Sequence, residues 1–191
     1  MSKSKKPKLV KPLKVLKGTK NRKLRKVSEE IKHPTARKYK ILAKRLIATM
    51  AQVGSLSIAA PQVGVLRRMI VISSEPSSAY PTAPRMGPLV MLNIKVVRRS
   101  PALKKDWEGC ASIPGIYAKV LRYSWIEVEY TNLRGQVRQV AFDGLLARLL
   151  QHESDHLDGT LFLDGADIHT IVQKKDYLVM VDAARARKRK K

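Results

Sequence analysis

Apolar positions recur at helical spacing in two stretches of the chain and alternate with polar ones in a third. Leu145, Leu146, Leu149 and Leu150 form one stripe, with Asp143 placed to cap its start and Gly159 to stop it. This pattern predicts a helix over about 144–157. Leu42, Leu46, Ile47 and Met50 form the second stripe, on a helix expected to begin at Pro34-Thr35, run through about Gln52 and end at Gly54. Ile126, Val128 and Tyr130 alternate with Glu127 and Glu129, as in a strand with one wet face. Further strands are expected over 68–72, 88–93, 95–97, 119–122 and 136–141, with Asn132-Leu133-Arg134-Gly135 as the turn before the last. Residues 73–88 hold four prolines among serines and read as a loop, and 168–185 as a weaker C-terminal helix.

Composition bounds what these elements can build. A chain of 191 residues is expected to form one domain with a genuine core. Its single Cys excludes an internal disulfide, in keeping with a reducing compartment. No apolar stretch approaches the roughly 18 residues of a membrane span, and no signal-peptide core opens the chain. The net charge of +24 is unevenly spread: residues 1–26 hold twelve Lys/Arg and residues 183–191 hold six, neither with an acid, so only +6 remains on 27–182. Residues 1–9 read as a disordered basic tail and 183–191 as a basic extension. No internal repeat is found.

The stretch that carries chemistry is Gln151-His152-Glu153-Ser154-Asp155-His156. On a helix, His152 and His156 fall on one face. Two imidazole nitrogens there can grip one metal ion, while Glu153 handles protons. Isolated histidines mean little; this HExxH spacing on an otherwise apolar helix is harder to dismiss. A metal needs further ligands, and no Glu follows Glu153, while Phe162 stands where a metzincin would have its third His. The candidate is Cys110, the only Cys, within Trp107-Glu108-Gly109-Cys110-Ala111-Ser112. Its Gly and polar neighbours suit an exposed thiolate better than a buried one. A helix with ligands on one face and strands before it needs a sheet to cover its other sides, which gives an α+β fold.

Ser55 to Gln62, Glu108 to Ser112 and His152 to His156 resemble the three motifs of the peptide deformylase family, in order, and the likeness extends from about Val15 through Asp167. Val15-Leu16 and Leu24-Arg25 are similar to that family's N-terminal strand and loop. The departures are Ser55 and Ser57 in place of glycines and Ala111 in place of a Leu. The resemblance implies antiparallel strands wrapped around a central metal-binding HExxH helix, a basic C-terminal helix, and residues 10–182 as the catalytic domain. It implies one divalent ion, commonly Fe²⁺ with Zn²⁺, Ni²⁺ or Co²⁺ as replacements, on Cys110, His152 and His156. Glu153 would be the general base, and the oxyanion donors would be the Gln62 side-chain amide and the Ala111 backbone N–H. Leu56, Tyr117, Leu145, Leu149 and the His152 ring would make a methionine pocket, with Ser57 beside the substrate strand and an Asp155–Arg122 ion pair in support.

The implied reaction removes the formyl group from the N-terminal methionine of nascent polypeptides. Two rivals stand beside it. A metallopeptidase would share the helix but needs a further downstream ligand. A catalytically weak or silent, ribosome-associated relative would explain Ser55 and Ser57, whose Cβ atoms are expected to narrow the groove or distort the loop. The expected partners are formylmethionyl chains and, through the basic termini, ribosomal RNA. The protein is expected to be a monomer with no membrane association, in the bacterial cytoplasm, with a mitochondrial or plastid matrix as the alternative.

Overall fold

The computed structural model describes residues 10–76 and 83–188. The tail expected over 1–9 and the last three residues of the extension lie outside the described residues. In chain order the elements are α1 (Arg37–Val53), β1 (Ser57–Ala59), β2 (Met69–Ser74), β3 (Met86–Arg99), β4 (Leu103–Cys110), β5 (Ile113–Tyr123), β6 (Trp125–Thr131), β7 (Val137–Asp143), α2 (Gly144–Leu157), β8 (Val172–Gln173) and α3 (Lys174–Lys188). This is a mixed α and β architecture with antiparallel sheets. One sheet has the order β1-β2-β3-β6-β7 and the other β4-β5-β8.

β2 shows how the sequence sets the layering. Met69, Ile70, Val71 and Ile72 are all fully buried, so the strand reads as a continuous apolar run rather than an alternation. Met69 and Val71 pack with Leu46 and Met50 of α1, while Ile70 and Ile72 pack with Ala147 and Leu150 of α2. The two helices therefore cover opposite faces of this sheet. At even-numbered positions of β4 and β5, Glu108 and Arg122 reach His152, Arg148 and Asp155 of α2, while Ala118 and Val120 are buried with Leu161 and Phe162. Trp107 and Tyr117, at odd-numbered positions, meet Tyr177 of α3.

Several expectations change. The 88–93 and 95–97 strands are one strand, β3, interrupted by a register shift between Leu92 and Lys95. There Asn93 takes a φ of 52°, a left-handed conformation that Asn tolerates, and its amide bonds both the N–H and the C=O of Ile31. β4 has no counterpart among the expected strands, because Leu-Lys-Lys-Asp-Trp-Glu-Gly-Cys has no apolar alternation. The first motif, expected as a loop, contains β1, which pairs Ser57 with Ile72 and Ala59 with Ile70, followed by a 3₁₀ turn over Ala60–Val63. Val15-Leu16 forms no strand; the Leu16 N–H instead donates to the Gln62 carbonyl at 2.7 Å. The C-terminal helix starts at Lys174 rather than Ile168, because Val172 and Gln173 are held in the sheet by Tyr117 and Ile116.

α2 begins and ends where the apolar stripe places it. Asp143 holds the N-cap position with extended backbone, although its side chain makes no capping bond. Gly159 takes a φ of 74°, and a Cβ there would lie 2.7 Å from the backbone of Arg25. Glycine is thus required both for the turn and for the crossing of the N-terminal segment.

Candidate active site

The stripe that buries α2 leaves His152, Glu153 and His156 on its inward side, with exposures of 6%, 1% and 1%. The end of β4 brings Cys110 to the same point. Its Sγ lies 3.2 Å from His156 Nε2, and one donor atom from each of Cys110, His152 and His156 falls within 4.8 Å of the others. A thiolate and two imidazoles this close suit a single borderline-soft divalent ion. Burial, followed by the His152 ring and Arg122, holds His156 well below its usual pKa, which favours the neutral imidazole that a metal ligand needs. Cys110 is half-buried rather than exposed.

His152 is oriented by Glu108, whose Oε2 lies 2.9 Å from Nδ1, leaving Nε2 for the cluster. Glu108 is 4% exposed and carries two guanidinium groups besides. Arg122 donates to both its oxygens, at 2.8 and 3.0 Å, and Arg148 to Oε1 at 2.8 Å. Burial alone would push this carboxyl up, but the bonds from His152 and Arg122 outweigh it and hold the group far below the usual range. Burial disfavours a charged His152, yet Cys110 and Glu108 outweigh it and raise that ring well above its usual value. Asp155 does pair with Arg122, at 2.7 Å, as the resemblance implies.

Glu153 has the environment of a proton carrier. Burial pushes its carboxyl up to about 7, against the His152 charge and a hydrogen bond from Ser57, and Oε2 has no protein partner. A base poised near neutrality is effective in both directions of transfer. Gln62 is fixed from the other side. Its Oε1 accepts the Ala59 N–H at 2.7 Å, which only the carbonyl end can do, so Nε2 must face Cys110 and Ser112, at 3.5 and 3.3 Å. Those two contacts are long, and the amide keeps donor capacity toward the cluster.

A cleft of about 420 Å³ opens over these groups. Leu56, Ser57, Gln62, Cys110, Ala111 and Tyr117 line it from the sheets, and Leu145, Leu149, His152 and Glu153 from α2. Every residue expected to contact substrate therefore sits on one cavity. Neither Ser55 nor Ser57 has a positive φ, so neither is strained by its Cβ, contrary to the expected distortion. Ser55 Oγ donates to the Ser57 carbonyl at 2.8 Å and braces the motif. Sequence reasoning missed Glu108 and Arg148 as site residues. The signal was present in Arg148, a charged residue one turn before His152 on the apolar side of the helix.

Residues 12–170 match the family profile of polypeptide deformylase. The chain belongs to the polypeptide deformylase family. It is 42% identical over 132 residues to "Peptide deformylase 2" of Nostoc sp., covering 68% of this chain and 74% of that protein. The fold matches the Met-Ala-Ser-bound class I type b peptide deformylase of Acinetobacter baumannii with a TM-score of 0.79 at 33% identity, covering 82% of this chain and 99% of the other. It matches the peptide deformylase of Synechococcus elongatus in complex with actinonin with a TM-score of 0.74 at 34% identity, covering 87% and 85%. This deformylase is a metal-dependent hydrolase that removes the formyl group from the N-terminal methionine of nascent polypeptides. The silent-relative alternative is not favoured. No helix among the described residues is long and apolar enough to cross a membrane.

Proposed function

We propose that Cys110, His152 and His156 hold the metal of this deformylase and that Glu153 moves the protons of the reaction. One observation carries the reading: the three donors lie within 4.8 Å of one another beside a buried carboxylate with an unpartnered oxygen, and Cys110, His152 and that carboxylate line the cleft. On this reading α2 is the metal-binding helix around which the strands are wrapped, and 10–182 is the catalytic domain.

A divalent ion held by Cys110, His152 and His156 would supply Lewis acidity and would lower the pKa of water from ~15.7 towards ~7. Glu153 accepts a proton from the attacking water and returns it to the departing amine, so the C–N bond breaks to formate and a free methionyl amine. The Gln62 amide and the Ala111 N–H donate to the oxyanion that forms on the formyl carbon. Leu56, Tyr117, Leu145, Leu149 and the His152 ring receive the methionine side chain, and Ser57 lies along the substrate strand. Glu108, with Arg122 and Asp155 behind it, keeps His152 pointed at the cluster. The family resemblance favours Fe²⁺; these donors also suit Zn²⁺, Ni²⁺ and Co²⁺. A monomer in the bacterial cytoplasm, touching ribosomal RNA through its basic ends, is the working picture of its setting.

The test is metal content together with hydrolysis of formyl-Met-Ala-Ser by the purified protein. One equivalent of metal and release of formate are expected. Full metal occupancy in a Cys110→Ala variant would show that the third ligand lies elsewhere.

A further inference from the structure

Tyr117 forms part of the cleft wall, yet its position is not set by its own hairpin alone. It lies opposite Gly109 in the β4–β5 register, one residue before Cys110. A Cβ at Gly109 would fall 2.6 Å from Tyr117 Cε1, so the ring lies directly against that glycine. A second contact comes from the far end of the chain. Tyr177, three residues into α3, stacks on Tyr117 with ring centroids 4.1 Å apart and an interplanar angle of 8°. It also meets the Trp107 ring at 5.5 Å and 59°, and Trp107 lines the same cleft. Tyr177 is 3% exposed, whereas Leu178, Val179 and Met180 beside it are 38%, 68% and 40% exposed. Tyr177 is thus the apolar side chain that this turn of α3 commits to the body of the protein, and it is spent on two residues of the cleft wall. β8, immediately before α3, pairs Val172 with Tyr117 itself and so fixes the approach of the helix.

We propose that Tyr177 is a positioning residue for substrate binding. It holds the Tyr117 and Trp107 rings in place as the outer wall of the cleft, so that the C-terminal helix sets affinity for the peptide without touching the reacting atoms. The inference rests on the cleft being the substrate groove. It requires that removal of the Tyr177 ring weaken peptide binding while leaving the metal cluster and Glu153 as they are, since those lie on the α2 side of the sheet.

The experiment compares the metal-loaded full chain with Tyr177→Ala and Tyr177→Phe on formyl-Met-Ala-Ser. In Tyr177→Ala, KM should rise about two- to tenfold, the effect expected of one aromatic pair. Its kcat and metal content should stay within about twofold. Tyr177→Phe keeps both ring contacts and should restore KM. An unchanged KM in Tyr177→Ala, or a Phe variant that behaves like Ala, overturns the proposal. If Tyr177→Ala does not fold, Tyr177→Leu fills the same site without the stack, and its KM must rise for the proposal to stand. A parent protein that holds metal but leaves the formyl peptide intact would instead overturn the substrate reading of the cleft.

Discussion

Three charged or titratable groups converge on Glu108, and no water-facing surface shares the load. Replacing it with Gln would leave the buried Arg148 guanidinium without its countercharge and Arg122 with Asp155 alone. Removing one partner of a buried pair costs about 3–5 kcal/mol, so Glu108→Gln should lower the melting temperature by roughly 10 °C in a chain of this size. A melting point within two or three degrees of the parent would mean that water or Asp155 compensates. Glu153→Gln asks a separate question. It keeps the size of the side chain and removes the base, so metal should remain bound while kcat falls by about 10²–10⁴. Loss of metal together with activity in that variant would place Glu153 among the ligands instead. The contrast between these two acids explains what the sequence makes legible. Glu153 announces itself through neighbours on its own helix turn. Glu108 acquires its meaning from residues 14, 40 and 44 positions away, a proximity that only the hairpin and α2 create.

At the scale of elements, the first motif repays attention because its Ser57 departs from the family pattern. Ser57 lies in β1 without a positive φ, 5% exposed, and its side chain acts to lower the Glu153 pKa. Ser57→Gly should therefore not open a crowded groove. It removes a side chain that lowers the Glu153 pKa and puts a flexible residue into a three-residue strand. With that side chain gone the Glu153 pKa rises, so less of the base is ionised at neutral pH. The acid limb of the pH profile of kcat/KM should move to higher pH, and kcat/KM at pH 7 should fall severalfold. A rise at pH 7 would restore the idea of a groove narrowed by Ser57. The elements themselves were legible in proportion to their packing. α1, α2, β2 and β6 each bury one stripe or a whole run, and their patterns carry through to the structure. β4 buries Glu108 through ion pairs, and β8 is two residues long, so neither leaves an apolar period to find.

The whole molecule raises the question of where its charge acts. Residues 183–191 hold six Lys/Arg, and the folded N-terminal side is basic too: α1 carries Arg37, Lys38, Lys40, Lys44 and Arg45 and no acid. A nascent formylated chain leaves a ribosome whose surface is largely RNA phosphate. Lys and Arg side chains on that backbone would release counterions without reading bases. The bland alternative is a solvated, solubilising end. Deleting 183–191 separates the two, because α3 keeps Tyr177 and the cleft wall when only its last residues are removed. Turnover of a short formyl peptide should be unchanged. Co-sedimentation with ribosomes should weaken, and the slope of log affinity against log salt should flatten by roughly 0.7–0.9 for each phosphate no longer neutralised. With six basic residues removed, that amounts to at most about five in the slope. A slope that keeps its full value while affinity holds would assign the ribosome-facing surface to α1 or to the N-terminal segment. Neutralising Arg37, Lys40 and Lys44 of α1 would then decide between those two, since a slope that survives this change as well leaves the twelve Lys/Arg of residues 1–26 to carry it.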